Sequence, residues 1–189
     1  GDILNSLFSV VDSDTTVLFE LKDNLLFIKT KNNSISLKTI PHEDFPTLPN
    51  VGGDSIKIPS KKLIDGLKSV FYTVSDIKPE IGSIYIYKED DNIVFVATDS
   101  FRLAEKRIKI KTDSLFNGIL IPFKNTSEII RVFDKINEDV DIIVNKNQAS
   151  FSVSGIYITS RVVDGIFPDY KQILPKNPTT EATILKQDF

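Results

Sequence analysis

The chain has 189 residues, 41% of them hydrophobic and 26% charged, a balance that fits a soluble globular fold and excludes disorder. Cysteine is absent, which removes disulfides, thiol nucleophiles and cysteine-ligated metals; methionine is absent too, so a processed chain or a piece of a longer one is expected. Against 26 Asp and Glu stand 23 Lys and Arg, a net charge of −3, so any contact with nucleic acid has to come from a local basic patch.

No apolar run nears the roughly 20 residues of a membrane helix and no signal-like start is present, so no membrane association and a cytoplasmic setting are expected. Ile3, Leu4, Leu7, Phe8 and Val11 recur at helical spacing and predict a helix over 2–11. Strand-like runs follow at 17–21, 25–30 and 34–40, broken by Asp23-Asn24 and Asn32-Asn33, before a proline-bearing segment and a Gly52-Gly53 linker. A strand over 56–58 then meets Pro59 and a helix over 61–75, with Ser60 as its expected N-cap. Leu63, Ile64, Leu67, Val70, Phe71 and Val74 give that helix one continuous apolar stripe. Strands are predicted at 83–87 and 93–97 around a KEDDN turn, then at 105–110 and 118–121. A second helix over 124–137 and strands at 140–144, 149–153 and 157–163 complete the unit. Two helices laid on a mostly antiparallel sheet make an α+β layered fold.

The order of helix, three strands and a Phe-Pro pair occurs twice. Phe45-Pro46 and Phe167-Pro168 lie 122 residues apart; Ile35 and Leu37 match Ile156 and Ile158, and Phe8 matches Phe133. IPSKKL at 58–63 is echoed by ILKQDF at 184–189. Repeats of this length are whole domains in tandem. Three parts are therefore expected: the back half of one unit at 1–50, a complete unit at 51–175, and the first strand and helix start of a third at 176–189.

Two long segments give this pattern a family likeness. FVATDSFRLAEKRI (95–108) and VDGIFPDYKQILPKNP (163–178) resemble the signatures of the bacterial DNA sliding clamp, the beta subunit of the replicative polymerase. IPHEDFPTL (40–48) resembles the end of that family's first domain, and ILKQDF the opening of its third. The resemblance implies the DNA-clamp fold: three similar domains per subunit, two subunits closing into a homodimeric ring, helices lining the hole and strands outside. It implies no catalysis and no cofactor or metal. The expected partners are double-stranded DNA and, through short peptide motifs, the DNA polymerase, the clamp loader and repair proteins.

A ring that holds DNA by topology needs only mild attraction to phosphates, which suits a slightly acidic protein with basic helices. The expected DNA-binding residues are Lys61, Lys62 and Lys68 on the first helix, Lys78 in the loop after it, and Lys124, Arg131 and Lys135 in the second helical region. The residues by themselves favour a solvated helix face; the family likeness reverses that reading. By matching positions, a peptide-binding pocket would be walled by Ile81, Thr98, Ser100, Phe101, Arg102, Leu103, Pro168, Gln172 and Ile173. The chain departs from the family in carrying Ser100-Phe101 where Gly-His is common, Gln172 where a basic residue often stands, and Glu80 in place of an aromatic. An α+β peptide-binding module that never encircles DNA is the alternative.

Other candidates are weaker. His42, the one histidine, sits beside Pro41 in a segment whose second copy has none. Glu89-Asp90-Asp91 reads as a hairpin turn, and Asp99 stands as a possible base without an accompanying catalytic partner. No glycine-rich phosphate loop is present.

Overall fold

The computed structural model describes residues 2–75, 78–112, 118–177, 179–185 and 187. The chain divides into two compact units, Gly1–Leu48 and Pro49–Phe189. In the first, α1 (Asp2–Phe8) precedes a three-stranded antiparallel sheet of β1 (Leu18–Lys22), β2 (Leu25–Lys29) and β3 (Ser34–Lys38), in that order. Asp23 and Asn24 turn the first hairpin at φ 49 and 61. A two-residue turn with both φ positive matches the twist of the strands, and Asp and Asn tolerate it well. The Phe8 and Phe19 rings lie 6.1 Å apart, Ile28 is buried, and Leu18, Phe19 and Leu21 stay exposed.

The second unit repeats one pattern, βαβββ, twice. The first half is β4 (Asp54–Pro59), α2 (Ser60–Phe71), β5 (Ser83–Glu89), β6 (Asn92–Thr98) and β7 (Leu103–Lys109). The second is β8 (Ile119–Pro122), α3 (Phe123–Phe133), β9 (Asp139–Val144), β10 (Gln148–Val153) and β11 (Ile156–Arg161). In keeping with the expected α+β layering, the antiparallel strands sort into two sheets of four, ordered β11-β10-β9-β4 and β7-β6-β5-β8. Each half gives its first strand to the other: β4 pairs antiparallel with β9, and β8 with β5.

Strand passes into helix with no loop in both halves, and proline sets the junction. Pro59 and Pro122 sit at φ −54 with ψ 128 and 141, an extended conformation immediately before the first helical residue. The Ser60 amide donates to the Glu138 carbonyl at 3.0 Å, and the Phe123 amide to the Gly82 carbonyl at 3.0 Å, so each helix has one free N-terminal donor satisfied by the opposite half. This corrects the expectation that Ser60 is the N-cap. Pro59 holds that position; Ser60 is the first residue of α2, buried, and its hydroxyl donates to the Ile136 carbonyl instead. Both helices end about a turn earlier than their apolar stripes suggest. After α2, Thr73 closes back on the Val70 carbonyl through its amide (3.1 Å) and its hydroxyl (2.8 Å).

One core joins the layers. Leu63, Leu67 and Val70 of α2, Ile129 and Phe133 of α3, Phe95 of one sheet and Phe151 of the other are all buried in it. Phe71 and Val74, expected in the same stripe, pack only at its margin; the Phe71 ring stacks on Phe123 with centroids 4.3 Å apart. Residues 179–185, where the opening strand of a third unit is expected, form no helix or strand, and 186, 188 and 189 lie outside the described residues. The repeat of the first unit keeps its register through the strands and loses it afterwards. A 3-10 turn at His42–Asp44 precedes Phe45-Pro46, whereas the turn at Tyr170–Gln172 follows Phe167-Pro168.

Gly66 lets α2 approach its sheet: a Cβ there would lie 2.4 Å from the Phe95 ring. In an open helix Gly→Ala stabilises by up to about 1 kcal/mol. Here we expect Gly66→Ala to destabilise by about 1–3 kcal/mol through overpacking, measured by urea unfolding. A gain in stability would contradict this packing.

Candidate functional site

The core separates two candidate faces of the second unit, one made by helices and one by the outside of a sheet. On the helix side, α2 and α3 leave the junction prolines in the same way, so residues at equal distances beyond Pro59 and Pro122 correspond. Lys61 corresponds to Lys124, Lys68 to Arg131 and Asp65 to Glu128. All six side chains are exposed.

The seven expected basic residues divide by surroundings. Lys68 crosses to Asp134, just beyond α3, at 2.5 Å, which brings Lys68, Arg131 and Lys135 to one end of the helix pair. Arg131 also pairs with Glu128 on its own helix at 2.6 Å. Lys78 and Lys124 line one cleft of about 410 Å³, together with Pro79, Gly82 and Phe123. Lys62 turns away to the sheet edge, where its ammonium donates to the Lys109 carbonyl at 2.9 Å. Asp65, read from sequence as the acid among the α2 lysines, pairs with Lys106 of β7 at 2.9 Å. Exposed pairs of this kind are worth at most about 1 kcal/mol, so they exchange readily for a stronger polyanion. Among the described residues, Lys61, Lys78, Lys124 and Lys135 form no ion pair.

On the sheet side, strand alternation puts Thr98, Val96 and Val94 of β6 outward, in register with Leu103, Glu105 and Arg107 of β7. The segment after β11 crosses this face. It starts where the Val163 amide donates to the Leu120 carbonyl at 2.9 Å, then seats Phe167 and Tyr170 against Val94, Val96 and Leu103 in a second apolar cluster. Phe167 stacks on Tyr85 at 5.2 Å, and Tyr85 on Tyr87 at 4.9 Å.

A polar network fastens the far end of this segment. The Tyr170 hydroxyl lies 2.7 Å from that of Tyr87 and donates to the Glu105 carboxylate. Arg107 bridges Glu105 (2.7 Å) and Glu89 (2.5 Å), and Lys171 donates to Glu89. Burial raises the Tyr170 phenol, and the bond to Glu105 raises it further. Burial alone would raise Glu105; hydrogen bonds from Arg107 and Tyr170 outweigh it and hold the carboxyl low. The bond from Lys171 lowers Glu89 in turn. None of these network residues emerged from sequence reasoning as functional, although the strand register puts Tyr85, Tyr87, Glu89, Glu105 and Arg107 on one face of the sheet.

Of the expected pocket residues, Thr98–Leu103 close the end of this face and Pro168, Gln172 and Ile173 belong to the segment that crosses it. Thr98 and Leu103 are a facing pair one row beyond Val96 and Glu105. Between them, Asp99–Arg102 form a tight turn. The Asp99 carboxylate accepts the amides of Phe101 (2.9 Å) and Arg102 (2.6 Å) and the Arg102 guanidinium (2.9 Å). The Thr98 hydroxyl donates to the Arg102 carbonyl at 2.7 Å and accepts the Ser100 amide at 3.1 Å. These bonds hold Ser100 at φ 74, a left-handed conformation that glycine adopts most easily. Phe101 at the tip is 93% exposed and Ile173 is 75% exposed, apolar side chains that no neighbour covers. Pro168 flanks Tyr170, whose amide donates to the Pro168 carbonyl at 2.7 Å, while Gln172 is hydrogen-bonded to Asp169 at 2.8 Å. Ile81 stands further off and buried, tied through its carbonyl to the Ser75 amide at 3.2 Å. Asp99, which sequence offered only as an unaccompanied base, is the acceptor that shapes the turn.

Among the described residues no three His, Cys, Asp or Glu side chains cluster to hold a metal ion, and no helix is long and apolar enough to cross a membrane. Glu89 is engaged by cationic side chains, and His42 lies exposed with Glu43 3.3 Å away.

A domain of two crossed βαβββ halves is the architecture of the bacterial polymerase clamps. The Pseudomonas aeruginosa DNA polymerase III subunit beta bound to griselimycin matches with a TM-score of 0.87 at 22% identity, over 94% of this chain and 49% of that one. The Bartonella birtlesii sliding clamp bound to griselimycin matches with 0.85 at 24% identity, over 93% and 49%. The chain belongs to the DNA polymerase III beta subunit family, whose central-domain model matches residues 56–169. The beta sliding clamp of Proteus mirabilis is 29% identical over 178 residues, covering 90% of this chain and 48% of the relative. That of Rickettsia bellii is 25% identical over 193 residues, covering 98% and 51%. The chain spans about half the length of these relatives.

The Asp99 turn carries a pH signature. Backbone donation from Arg102, then its side chain and the Phe101 amide, lower the Asp99 pKa from 3.8 to about 2. A depressed carboxyl pKa stabilises the fold above its unfolded value, and that contribution is lost as pH falls through the folded value. We therefore expect the turn to loosen between about pH 4 and pH 2, with the Asp99 carboxyl followed by NMR titrating near 2. Titration at or above 3.8 would show that the carboxylate does not hold the turn.

Proposed function

We propose that this chain is the DNA-holding and partner-binding middle of a sliding clamp, a non-enzymatic processivity factor acting in the cytoplasm. It would encircle duplex DNA as part of a ring of two subunits and tether the DNA polymerase, the clamp loader and repair proteins. The observation that carries this reading is the matched placement of Lys61 with Lys124 and Lys68 with Arg131 on paired helices. A duplex presents its two phosphate strands with local twofold symmetry, and a helix pair with twofold-related cations meets both strands alike. Contacts to phosphates carry no base identity, which suits a protein that must slide. With a net charge of −3, attraction is confined to that face.

The opposite face supports partner binding. Leu103, Ile173 and Phe101 offer apolar surface beside the polar edge of the Asp99 turn, the usual composition of a peptide site. Griselimycin, held by two related clamps, is a suitable probe of it.

Two titrations test the two faces. Fluorescence anisotropy with a short duplex should give weak binding whose log affinity falls against log salt with a slope of about −2 to −4, as two to four phosphates are neutralised. Lys61→Glu with Lys124→Glu should reduce both affinity and slope. Binding independent of salt, or unaffected by the pair, would remove the helix face from the reading. In a separate NMR titration griselimycin should shift the amides of Thr98–Leu103 and Gln172–Ile173, leaving α2 and α3 unmoved. Shifts confined to the helices would overturn the assignment of the outer face.

A further inference from the structure

We propose that Tyr170 and Glu105 are positioning residues for the peptide-binding face, forming a latch that fixes the wall carrying Pro168 and Ile173 at its working distance from the Thr98–Leu103 turn. This rests on the reading of that face as a partner site. The pocket has two walls of different origin. One is the β6–β7 turn, rigid through Asp99. The other is the segment after β11, which belongs to no sheet and depends for its position on what holds it to the strands.

Its upstream part is held by the Val163 backbone bond and by Phe167 on Tyr85, both distant from Ile173 along the chain. Downstream, the anchor is Tyr170. Its amide bonds the Pro168 carbonyl, its carbonyl accepts the Ile173 amide at 3.1 Å, and its hydroxyl reaches Glu105. The two backbone bonds make residues 168–173 move with the Tyr170 ring.

Glu105 lies two residues beyond Leu103 on the same strand face, so the latch closes about 7 Å from the pocket floor. Arg107 at 2.7 Å orients the Glu105 carboxylate as acceptor. Tyr170 is 4% exposed, which shields its hydroxyl from competing water. Lys171 to Glu89 adds a second, solvent-exposed tie that cannot substitute for a buried one.

The test uses the 189-residue chain with griselimycin as ligand, affinity by NMR titration and fold integrity by thermal melting. Tyr170→Phe keeps the ring and removes the hydroxyl; Glu105→Ala removes the acceptor; Glu105→Gln retains a neutral one. We expect Tyr170→Phe and Glu105→Ala each to weaken binding about tenfold, the effect of losing one charge-assisted hydrogen bond. The double variant should lose clearly less than the sum of the two single losses, because both break the Tyr170–Glu105 contact, while Tyr170→Phe also releases Tyr87. Glu105→Gln should recover part of the affinity, and the Ile173 amide should exchange faster in the two stronger variants while the Asp99 turn keeps its shifts. A purely structural role would lower the melting temperature without this selective loss. Wild-type affinity in both Tyr170→Phe and Glu105→Ala, or additive losses, would overturn the latch. If the wild-type chain itself fails to bind, the partner-site reading falls and the positioning role falls with it. Binding by wild type with unchanged variants would defeat the latch alone.

Discussion

The exchange of β4 and β8 between the two halves is the constraint from which the functional geometry follows. Because β4 pairs with β9 and β8 with β5, neither half can complete its sheet without the other. The strand-to-helix junctions at Pro59 and Pro122 then start both helices at corresponding points, each with an amide bonded to the opposite half. Helices placed this way meet over one core, and cations set at equal distances along them take equivalent places in the two repeated halves.

The same arrangement leaves the outer face of β7-β6-β5-β8 without a helix, and the chain covers it with its own segment. The cover is strong in the middle, where Phe167 and Tyr170 bury Val94 and Val96, and stops at the row of Thr98 and Leu103. Beyond that row stands the turn held by Asp99, with Phe101 exposed at its tip. Charge is handled differently on the two sides. On the helices most cations are exposed and either unpaired among the described residues or held in weak surface pairs. On the sheet, Arg107 and Lys171 are committed to Glu89 and Glu105 within a linked network. The first pattern suits transient contact with phosphates, the second a fixed scaffold.

Much of the fold was legible from periodicity. Apolar and alternating runs bounded by turn residues predicted each of the strands β1 to β11 to within a few residues. The repeated helix and three strands also survive as repeated structure. Ser60 misled because a serine after proline and before an apolar stripe is what an N-cap looks like, and nothing local reveals that its hydroxyl bonds Ile136, far along the chain. The basic positions could be named from sequence; the separation of Lys62, drawn to Lys109, from the others depends on tertiary packing. Glu105 and Tyr170 stayed hidden for a related reason. Alternation indicates which way a strand residue points but not what crosses over it, and a tyrosine 65 residues away is not a neighbour by any spacing rule.

Native-state hydrogen exchange tests the strand exchange most directly. If each half is completed by the other, the protected amides of β4 and β8 must open only with global unfolding, at the same free energy as those of β6 and β10, and with the same dependence on denaturant. If β4 or β8 exchanges through a separate, less costly opening while the remaining strands stay protected, the halves do not depend on each other and the basis for the paired helix face is lost.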